Sequence, residues 1–248
     1  MRMTKLILAA AVALSAPASA AELVLRSGPA RTRLIELFTS EGCSSCPPAD
    51  ERMNALAKDE TLWKAFVPVA FHVTYWDYIG WKDPYADPAY DARQRAEAAA
   101  WGAKSTYTPG FVLDGEEWRG WDGAPPPSAE KAGTLTATAG RARVAVAFSP
   151  AAGGGPFEAF AVRLGFDIVS TVTAGENSGR TLRHEFVARG LSRAAMTKGP
   201  KGSWSATLPL PGAFGAAARA EGLAVWVAGP DGKPVQAAGD YLPLVSGK

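Results

Sequence analysis

Between residues 33 and 73, the spacing of apolar positions changes from that of a strand to that of a helix and back. Residues 33–38 have the β-branched and aromatic content of a buried strand. Turn residues follow, and after Pro47 and Pro48 the apolar positions recur at helical spacing up to Lys58. Residues 66–73 form a second apolar run. The pattern therefore predicts strand, turn, helix and strand.

The next segment contains a second set of boundary signals. Asp87 before Pro88 is typical of a helix N-cap with proline at the first helical position, and Gly102 is a good C-terminal residue. Residues 107–113 read as a strand, and Asp114-Gly115 predicts a hairpin turn into a further strand. The complete order is β-α-β-α-β-β over residues 21–124.

After residue 124 the composition and the spacing of apolar positions change. Residues 125–140 are rich in proline and small residues, and we interpret them as a linker or short helix. Alternating apolar and polar positions then predict a small antiparallel β-sandwich over residues 141–248. Its expected strands cover residues 143–148, 157–172, 182–187, 204–210 and 223–227, with a closing strand after the turn at 230–233.

Residues 1–20 have the pattern of a secretory signal peptide. Arg2 and Lys5 precede an apolar run at residues 6–14, and Ala18-Ser19-Ala20 is a suitable cleavage site. The apolar run is shorter than the roughly 20 residues that span a bilayer. We therefore expect cleavage after Ala20, which leaves 228 of the 248 residues, and a periplasmic or secreted location.

The net charge gives no indication of a nucleic-acid or membrane partner. Removing residues 1–20 removes two basic residues and no acidic one, so the formal net charge falls from +2 to 0. A balanced surface gives no reason to expect nucleic acid or an anionic membrane as a partner, and no second apolar run reaches spanning length. The sequence does not indicate an oligomeric state.

The chemistry is expected at Cys43 and Cys46, the only two cysteines of the chain. A disulfide that closes so short a loop stabilises the fold by only about 2 kcal/mol through chain entropy. A disulfide present only for stability would gain more by linking distant segments, so the pair indicates chemistry. Zinc normally needs four ligands, or three and a water, and the chain adds only His72 and His184. Thiol–disulfide exchange needs only the pair.

We assign the nucleophile to Cys43 and the resolving thiol to Cys46. The helix after the pair lowers the pKa of a nearby thiol through its partial positive charge. The Pro47-Pro48 pair is expected to delay the helix start, and Glu41 adds a negative charge upstream. We therefore expect only a mild lowering of the Cys43 pKa.

The arrangement resembles the thioredoxin fold. The sequence is also similar to an uncharacterised secreted bacterial family, the domain of unknown function numbered twelve twenty-three. The matching segments are residues 36–50, 71–84, 93–94, 107–109 and 175–180. This resemblance implies a thioredoxin-like fold and export, and it implies no established reaction.

The thioredoxin resemblance also implies roles for single residues. Pro109 would be a cis proline facing the cysteines and shaping a substrate groove, with a plain trans turn as the alternative. Thr108, directly before it, would be a substrate-binding residue. Glu36 would be a buried acid that relays the proton of the resolving thiol, or else an ordinary acid at a strand edge.

Aromatic residues follow the second strand. Tyr75 and Trp76 are candidates for a substrate-facing rim, although aromatics at a strand end also pack in cores. His72 is a structural residue, a group that tunes Cys43, or a third metal ligand beside the two thiolates.

Three functions remain open at this point. The first is an exported thiol–disulfide oxidoreductase that needs no cofactor and acts on protein thiols or disulfides of the periplasm. The second is a Cu(I) chaperone that uses Cys43, Cys46 and His72, because thiolates suit soft ions. The third is a non-enzymatic binding module with a structural disulfide. The direction of exchange, the substrate and the role of the C-terminal half are not written in the sequence.

Overall fold

The computed structural model describes residues 22–121 and 123–243, so the expected signal peptide lies outside the described residues. The helices are α1 (Pro47–Ala55) and α2 (Pro88–Ala100), with 3-10 helices at Leu56–Lys58, Thr74–Ile79 and Pro200–Gly202. The strands are β1 (Leu23–Arg26), β2 (Arg33–Thr39), β3 (Phe66–His72), β4 (Gly110–Leu113), β5 (Glu116–Glu117), β6 (Gly133–Ala139), β7 (Arg143–Pro150), β8 (Glu158–Phe166), β9 (Ile168–Thr171), β10 (Thr181–His184), β11 (Val187–Ala195), β12 (Thr197–Lys198), β13 (Trp204–Pro209), β14 (Ala220–Ala228) and β15 (Pro234–Tyr241).

Strands β3, β2, β4 and β5 lie side by side in that order. β2 runs parallel to β3 and antiparallel to β4, and α1 and α2 are the connections between these strands. The ends of β2 and β3 and the start of β4 therefore meet at one edge of the sheet. The turn that carries the two cysteines leaves β2 at this edge.

Local signals explain the boundaries of this segment. The side chain of Asp87 accepts a hydrogen bond from the Ala89 N–H at 2.8 Å, which caps α2 as expected. Asp114 and Gly115 both have positive φ angles, of 54° and 81°, as a tight hairpin turn between β4 and β5 requires. Both sequence predictions are confirmed.

The same sheet continues into the C-terminal half of the chain. β11 pairs with β3 in parallel at Val187 and Ala70, and β8, β14 and β15 follow it. The two faces of β8 serve two cores: Phe160 and Val162 pack with β2 and β3, whereas Ala159 and Ala161 pack against a second sheet. That second sheet has the order β1-β6-β7-β13-β12.

Two expectations about domain organisation are wrong. Residues 21–124 and 141–248 are not separate units, because β3 and β11 join them in one eight-stranded sheet. Residues 133–139 form strand β6 rather than a linker or short helix. In β6 the glycine, leucine and alanine positions are buried and the intervening threonines are more exposed, which is the alternation of a strand that covers a core.

Within the described part of the chain, no helix is long and apolar enough to cross a membrane.

Candidate functional site

The cysteine turn, residues 40–46, connects β2 to α1. Cys43 and Cys46 form a disulfide, with 5.4 Å between their Cα atoms. Cys46 has helical backbone angles, and its carbonyl accepts from the N–H groups of Ala49 and Asp50. α1 therefore begins directly at Pro47, and the expected delay of the helix start is wrong. The disulfide lies at the positive end of the helix.

Both cysteines are fully buried, at 0% exposure each, while Ser44 and Ser45 between them are exposed. The sequence interpretation required one accessible thiol at Cys43, and this structure does not present one. The Cys43 Sγ atom lies 3.2 Å from the Ser45 hydroxyl. Two other segments of the chain cover the turn.

The first covering segment is the 3-10 helix Thr74–Ile79. A β-carbon on Gly42 would lie 3.1 Å from the Trp76 Cβ and 3.4 Å from the Ile79 Cδ1, so glycine permits this close approach. The Trp76 indole N–H also donates to the Thr108 hydroxyl at 2.7 Å. Trp76 therefore links the cysteine turn to the residue before Pro109.

The second covering segment is the clamp loop, residues 172–180, which connects β9 to β10. The side-chain amide of Asn177 donates to the carbonyls of Glu41 and Cys43 at 2.8 and 2.9 Å. The Ser44 N–H donates to the Glu176 carboxylate at 2.9 Å, and this bond holds the pKa of Glu176 below its usual range. Asn177 is fully buried.

Sequence reasoning missed the clamp loop as part of the site. Residues 175–180 resemble a family segment, but no residue type in them suggests chemistry. The contact could have been found only by pairing two segments more than 130 residues apart.

Pro109 lies at the same edge of the sheet as the cysteine turn. Gly110 pairs with Phe38, the penultimate residue of β2, and the Thr108-Pro109 peptide bond is cis. The expected cis proline is confirmed.

Buried polar residues form a cluster that includes residues on both sides of the cysteine pair in sequence. We call it the acid–histidine cluster, and it consists of Glu41, Asp50, His72, Asp83 and His184. The His184 Nε2 atom lies 3.1 Å from one Glu41 carboxylate oxygen, and the Trp81 indole N–H donates to the other at 2.9 Å. His72 Nδ1 lies 2.7 Å from Asp83, and the Thr39 hydroxyl donates to Asp50 at 2.8 Å.

Burial and mutual charge shift the pKa values in this cluster. Burial disfavours the charged form of His72, but the charge and hydrogen bond of Asp83, together with the charges of Asp50 and Glu41, outweigh it and raise the His72 pKa to about 9. Burial also opposes ionisation of Asp83, and His72 outweighs it and keeps the Asp83 pKa low. Burial raises the pKa of Asp50, against the opposing charges of His184 and His72. His72 and Asp83 thus form an ion pair, and burial makes the Asp50 carboxylate a stronger base than an exposed one.

Two cluster atoms have no hydrogen-bond partner among the described residues: Asp50 Oδ2 and His72 Nε2. Asp50 follows Cys46 by one helical turn, and helical side chains lean toward the preceding turn. The free oxygen of Asp50 therefore belongs to a side chain directed toward the Cys46 end of α1.

Glu36 does not lie under the cysteines. Its carboxylate is bonded to Arg93 of α2, whereas Thr39 of the same strand faces Asp50 of α1. Neighbouring positions of a strand point to opposite faces, so Glu36 and Thr39 lie on different sides of the sheet. The relay role assigned to Glu36 is wrong for this geometry, and Asp50 is the buried acid on the α1 side.

Tyr75 is half-buried, and its hydroxyl donates to the Gln94 side chain at 3.2 Å. Burial raises the pKa of Tyr75. Tyr75 and Trp76 therefore both connect the covering 3-10 helix to neighbouring segments. The most exposed aromatic of that helix is Tyr78, at 81%.

Cys43, Cys46 and His72, the ligands of the expected Cu(I) site, are not free to bind a metal in this structure. The two sulfurs are bonded to each other, and His72 Nδ1 is engaged by Asp83. Across residues 22–121 and 123–243, no group of three or more His, Cys, Asp or Glu side chains is arranged to hold a metal ion.

A disulfide-bonded C-x-x-C turn between a strand and a helix, clamped by a distant loop of the same chain, defines the site. The chain belongs to the family described as Protein of unknown function (DUF1223), which matches residues 34–228.

Two solved structures share the fold. Protein AGR_C_4864 from Agrobacterium tumefaciens is 21% identical, with a TM-score of 0.57, and the match covers 90% of this chain and 98% of that one. HBP35 of Porphyromonas gingivalis is 14% identical, with a TM-score of 0.56, and the match covers 90% of this chain and 80% of that one. No curated protein matches the chain significantly.

Proposed function

We propose that this chain is an exported thiol–disulfide oxidoreductase whose reactive group is the Cys43–Cys46 pair. The observation that carries the proposal is the placement of the pair at the start of α1, where two members of the buried acid–histidine cluster, Glu41 and Asp50, flank it along the chain. Buried ionisable groups cost stability, and a disulfide that only holds a loop in place has no use for them. A redox-active thiol pair does use such groups, because each thiol must lose or gain a proton during exchange.

We further propose that residues 33–117 form a thioredoxin-like unit. The support is the sheet order β3-β2-β4-β5, with helices after β2 and β3 and the cysteine turn before the first helix. Thr108 and Pro109 precede β4 at the edge where this turn lies.

The proposed exchange balances as follows. In the reducing direction, the Cys43 thiolate attacks a substrate disulfide, which forms a mixed disulfide and releases one substrate thiolate. Asp50 takes the proton of Cys46, and the Cys46 thiolate then attacks Cys43 Sγ, which forms the Cys43–Cys46 disulfide and releases the second substrate thiolate. Two electrons pass to the substrate, and its two thiolates take up the proton held by Asp50 and one proton from water. The oxidising direction is the same sequence reversed.

The burial of both sulfurs sets a condition on this mechanism. A substrate reaches Cys43 only when the turn is uncovered, so the proposal includes displacement of the clamp loop. The bonds to be broken are those from Asn177 to Cys43 and Glu41 and the one between Ser44 and Glu176. The Glu176 bond is at the surface, where water replaces it readily.

The same burial favours a second candidate, a non-enzymatic binding module. In that reading the disulfide holds the turn in the shape that the clamp loop recognises. Reduction would then loosen the structure and transfer no electrons to a partner.

Trapping experiments separate the two. In the oxidoreductase, Cys46→Ser leaves Cys43 without its resolving thiol, so this variant accumulates mixed disulfides with a disulfide-containing test substrate such as insulin. Cys43→Ser accumulates none, and Glu51→Gln, at an exposed position of α1, behaves as the wild type. If neither cysteine variant traps insulin and the wild type does not catalyse its reduction by dithiothreitol, the binding module is the better account.

A further inference from the structure

The clamp loop contacts the cysteine turn through two adjacent side chains, Glu176 and Asn177. The backbone N–H of Ser44 donates to the Glu176 carboxylate at 2.9 Å, and the Ser44 hydroxyl interacts with the same carboxylate. The Asn177 amide donates to the carbonyls of Glu41 and Cys43. The turn thus offers an N–H and a hydroxyl to a carboxylate, and two carbonyls to a primary amide.

A β-turn presents these two side chains. The Ser178 N–H donates to the Gly175 carbonyl at 3.2 Å, which places Glu176 and Asn177 at the two central positions. The Arg180 guanidinium donates to the side-chain oxygen of Asn177 at 2.9 Å, so the amide nitrogen is directed to the cysteine turn. A surface turn of another protein can present the same two groups.

The amide contact is the more selective of the two. Glu41, Cys43 and Asn177 are fully buried, so the two carbonyls lie away from water. A chain that covers the turn without a donor at this position leaves both carbonyls unsatisfied, and unpaired buried groups reject such a ligand. Glu176 is exposed, so its contact adds a weaker preference for an acid.

The clamp loop competes with any substrate for this surface. Because it belongs to the same chain, its effective concentration at the turn is on the order of millimolar. A substrate protein therefore displaces it only if it supplies contacts of comparable quality, in addition to the bond that its sulfur forms with Cys43.

We propose that the clamp loop occupies the place of a substrate segment, and that the proteins which exchange with the Cys43–Cys46 pair present an acid followed by asparagine in a surface turn beside their reacting cysteine. This inference rests on the proposed function and names its substrate class. The turn of residues 175–178 is the internal counterpart of the substrate turn.

Reduction of peptide disulfides tests the inference on the chain without residues 1–20, reduced with dithiothreitol and then freed of it. The probe is the peptide Gly-Glu-Asn-Ser-Cys in a mixed disulfide with glutathione, and formation of the protein disulfide is followed. We expect it to react at least fivefold faster than the peptide with leucine, which has a similar shape, in place of asparagine. It should react about threefold faster than the peptide with glutamine in place of glutamate.

Variants of the protein localise the preference. Ser44→Ala loses the hydroxyl, so it should discriminate less between glutamate and glutamine and keep the preference for asparagine over leucine. Glu176→Gln weakens the competing clamp loop, so every peptide should react faster in the same order. Glu51→Gln, at an exposed position of α1, should match the wild type.

The outcomes separate this inference from the proposed function. An asparagine-to-leucine ratio below fivefold, or equal rates with glutamate and glutamine, overturns the inference and leaves the proposed function intact. Failure of all the peptides to react has the same meaning if the protein still reduces insulin. If it reduces neither, the proposed function fails and the inference fails with it.

Discussion

The side-chain amide of Asn177 donates to the backbone carbonyl of Cys43 at 2.9 Å across a sequence separation of 134 residues. The same amide nitrogen donates to the carbonyl of Glu41, so one buried side chain satisfies two carbonyls of the cysteine turn. Hydrogen bonds in such buried places fix local geometry, because an unsatisfied carbonyl there is costly. Asn177 therefore couples the accessibility of the disulfide to the position of the clamp loop.

Asn177→Ala should speed the reduction of the disulfide by dithiothreitol. The variant loses both hydrogen bonds, which lowers the free energy of opening the clamp loop by roughly 1–3 kcal/mol. Because a buried disulfide reacts through its open state, the reduction rate should rise about fivefold or more.

Ser178→Ala, at an exposed position of the same loop, is the matched control and should react at the wild-type rate. The free energy of global unfolding is measured in parallel by urea titration. If the disulfide of Asn177→Ala is reduced at a rate within twofold of the wild type, the clamp loop does not control access to the disulfide.

Asp50→Asn should slow the step in which Cys46 resolves a mixed disulfide. Asp50 lies one helical turn after Cys46, has a free carboxyl oxygen and has a raised pKa because it is buried. Asparagine keeps the shape and the Thr39 contact but cannot take a proton. We expect a loss of about tenfold or more at neutral pH, within the usual range for general base catalysis.

The decisive readout for Asp50 is the pH profile of the resolution rate, followed by quenched flow. In the wild type this rate should rise as pH passes through the Asp50 pKa, and in Asp50→Asn that rise should be absent. Glu51→Gln, the exposed neighbour, should keep the wild-type profile. Identical profiles for all three proteins would exclude Asp50 from proton transfer.

The His72–Asp83 pair predicts how stability changes with pH. The pKa of His72 rises from its ordinary value of 6.5 to about 9 in the folded chain. The stabilisation by its charge is therefore complete below pH 6.5 and is lost as pH rises toward 9. Its size is on the order of 3 kcal/mol for such a shift at a fully buried site.

Urea unfolding at pH 6, 7.5 and 9 measures this contribution. The difference in unfolding free energy between the wild type and His72→Gln should shrink steadily over this range. Lys82→Gln, at an exposed neighbouring position, should show no such trend. A difference that stays constant or grows toward pH 9 would mean that His72 is not charged in the folded chain.

The features that the sequence predicted correctly depend on local chemistry. Asp87 with Pro88 is sufficient to begin α2, and Asp114-Gly115 is sufficient to turn β4 into β5, because the neighbouring residues alone determine these conformations. β6 was missed for a related reason. Its signal, threonines alternating with small apolar residues, is weak, and a small-residue composition concealed it.

The features that could not be predicted depend on long-range pairing. The residues around Val187 contain no signal that their strand pairs with β3 at Ala70. This pairing joins the two expected domains through one sheet. The position of Glu36 could not be predicted either. Alternation along β2 assigns its residues to two faces of the sheet, but it does not tell which face packs against α1 and which against α2. The burial of Cys43 is the clearest case, since the covering residues come from both halves of the chain.

The reduction potential of the Cys43–Cys46 pair tests the central claim most directly. Equilibration of the chain without residues 1–20 in glutathione buffers, with the thiol state read by alkylation and mass shift, gives this value. A redox-active pair should lie between about −120 and −270 mV, the range of thiol–disulfide oxidoreductases. A value below about −300 mV would identify a structural disulfide and contradict the proposed function.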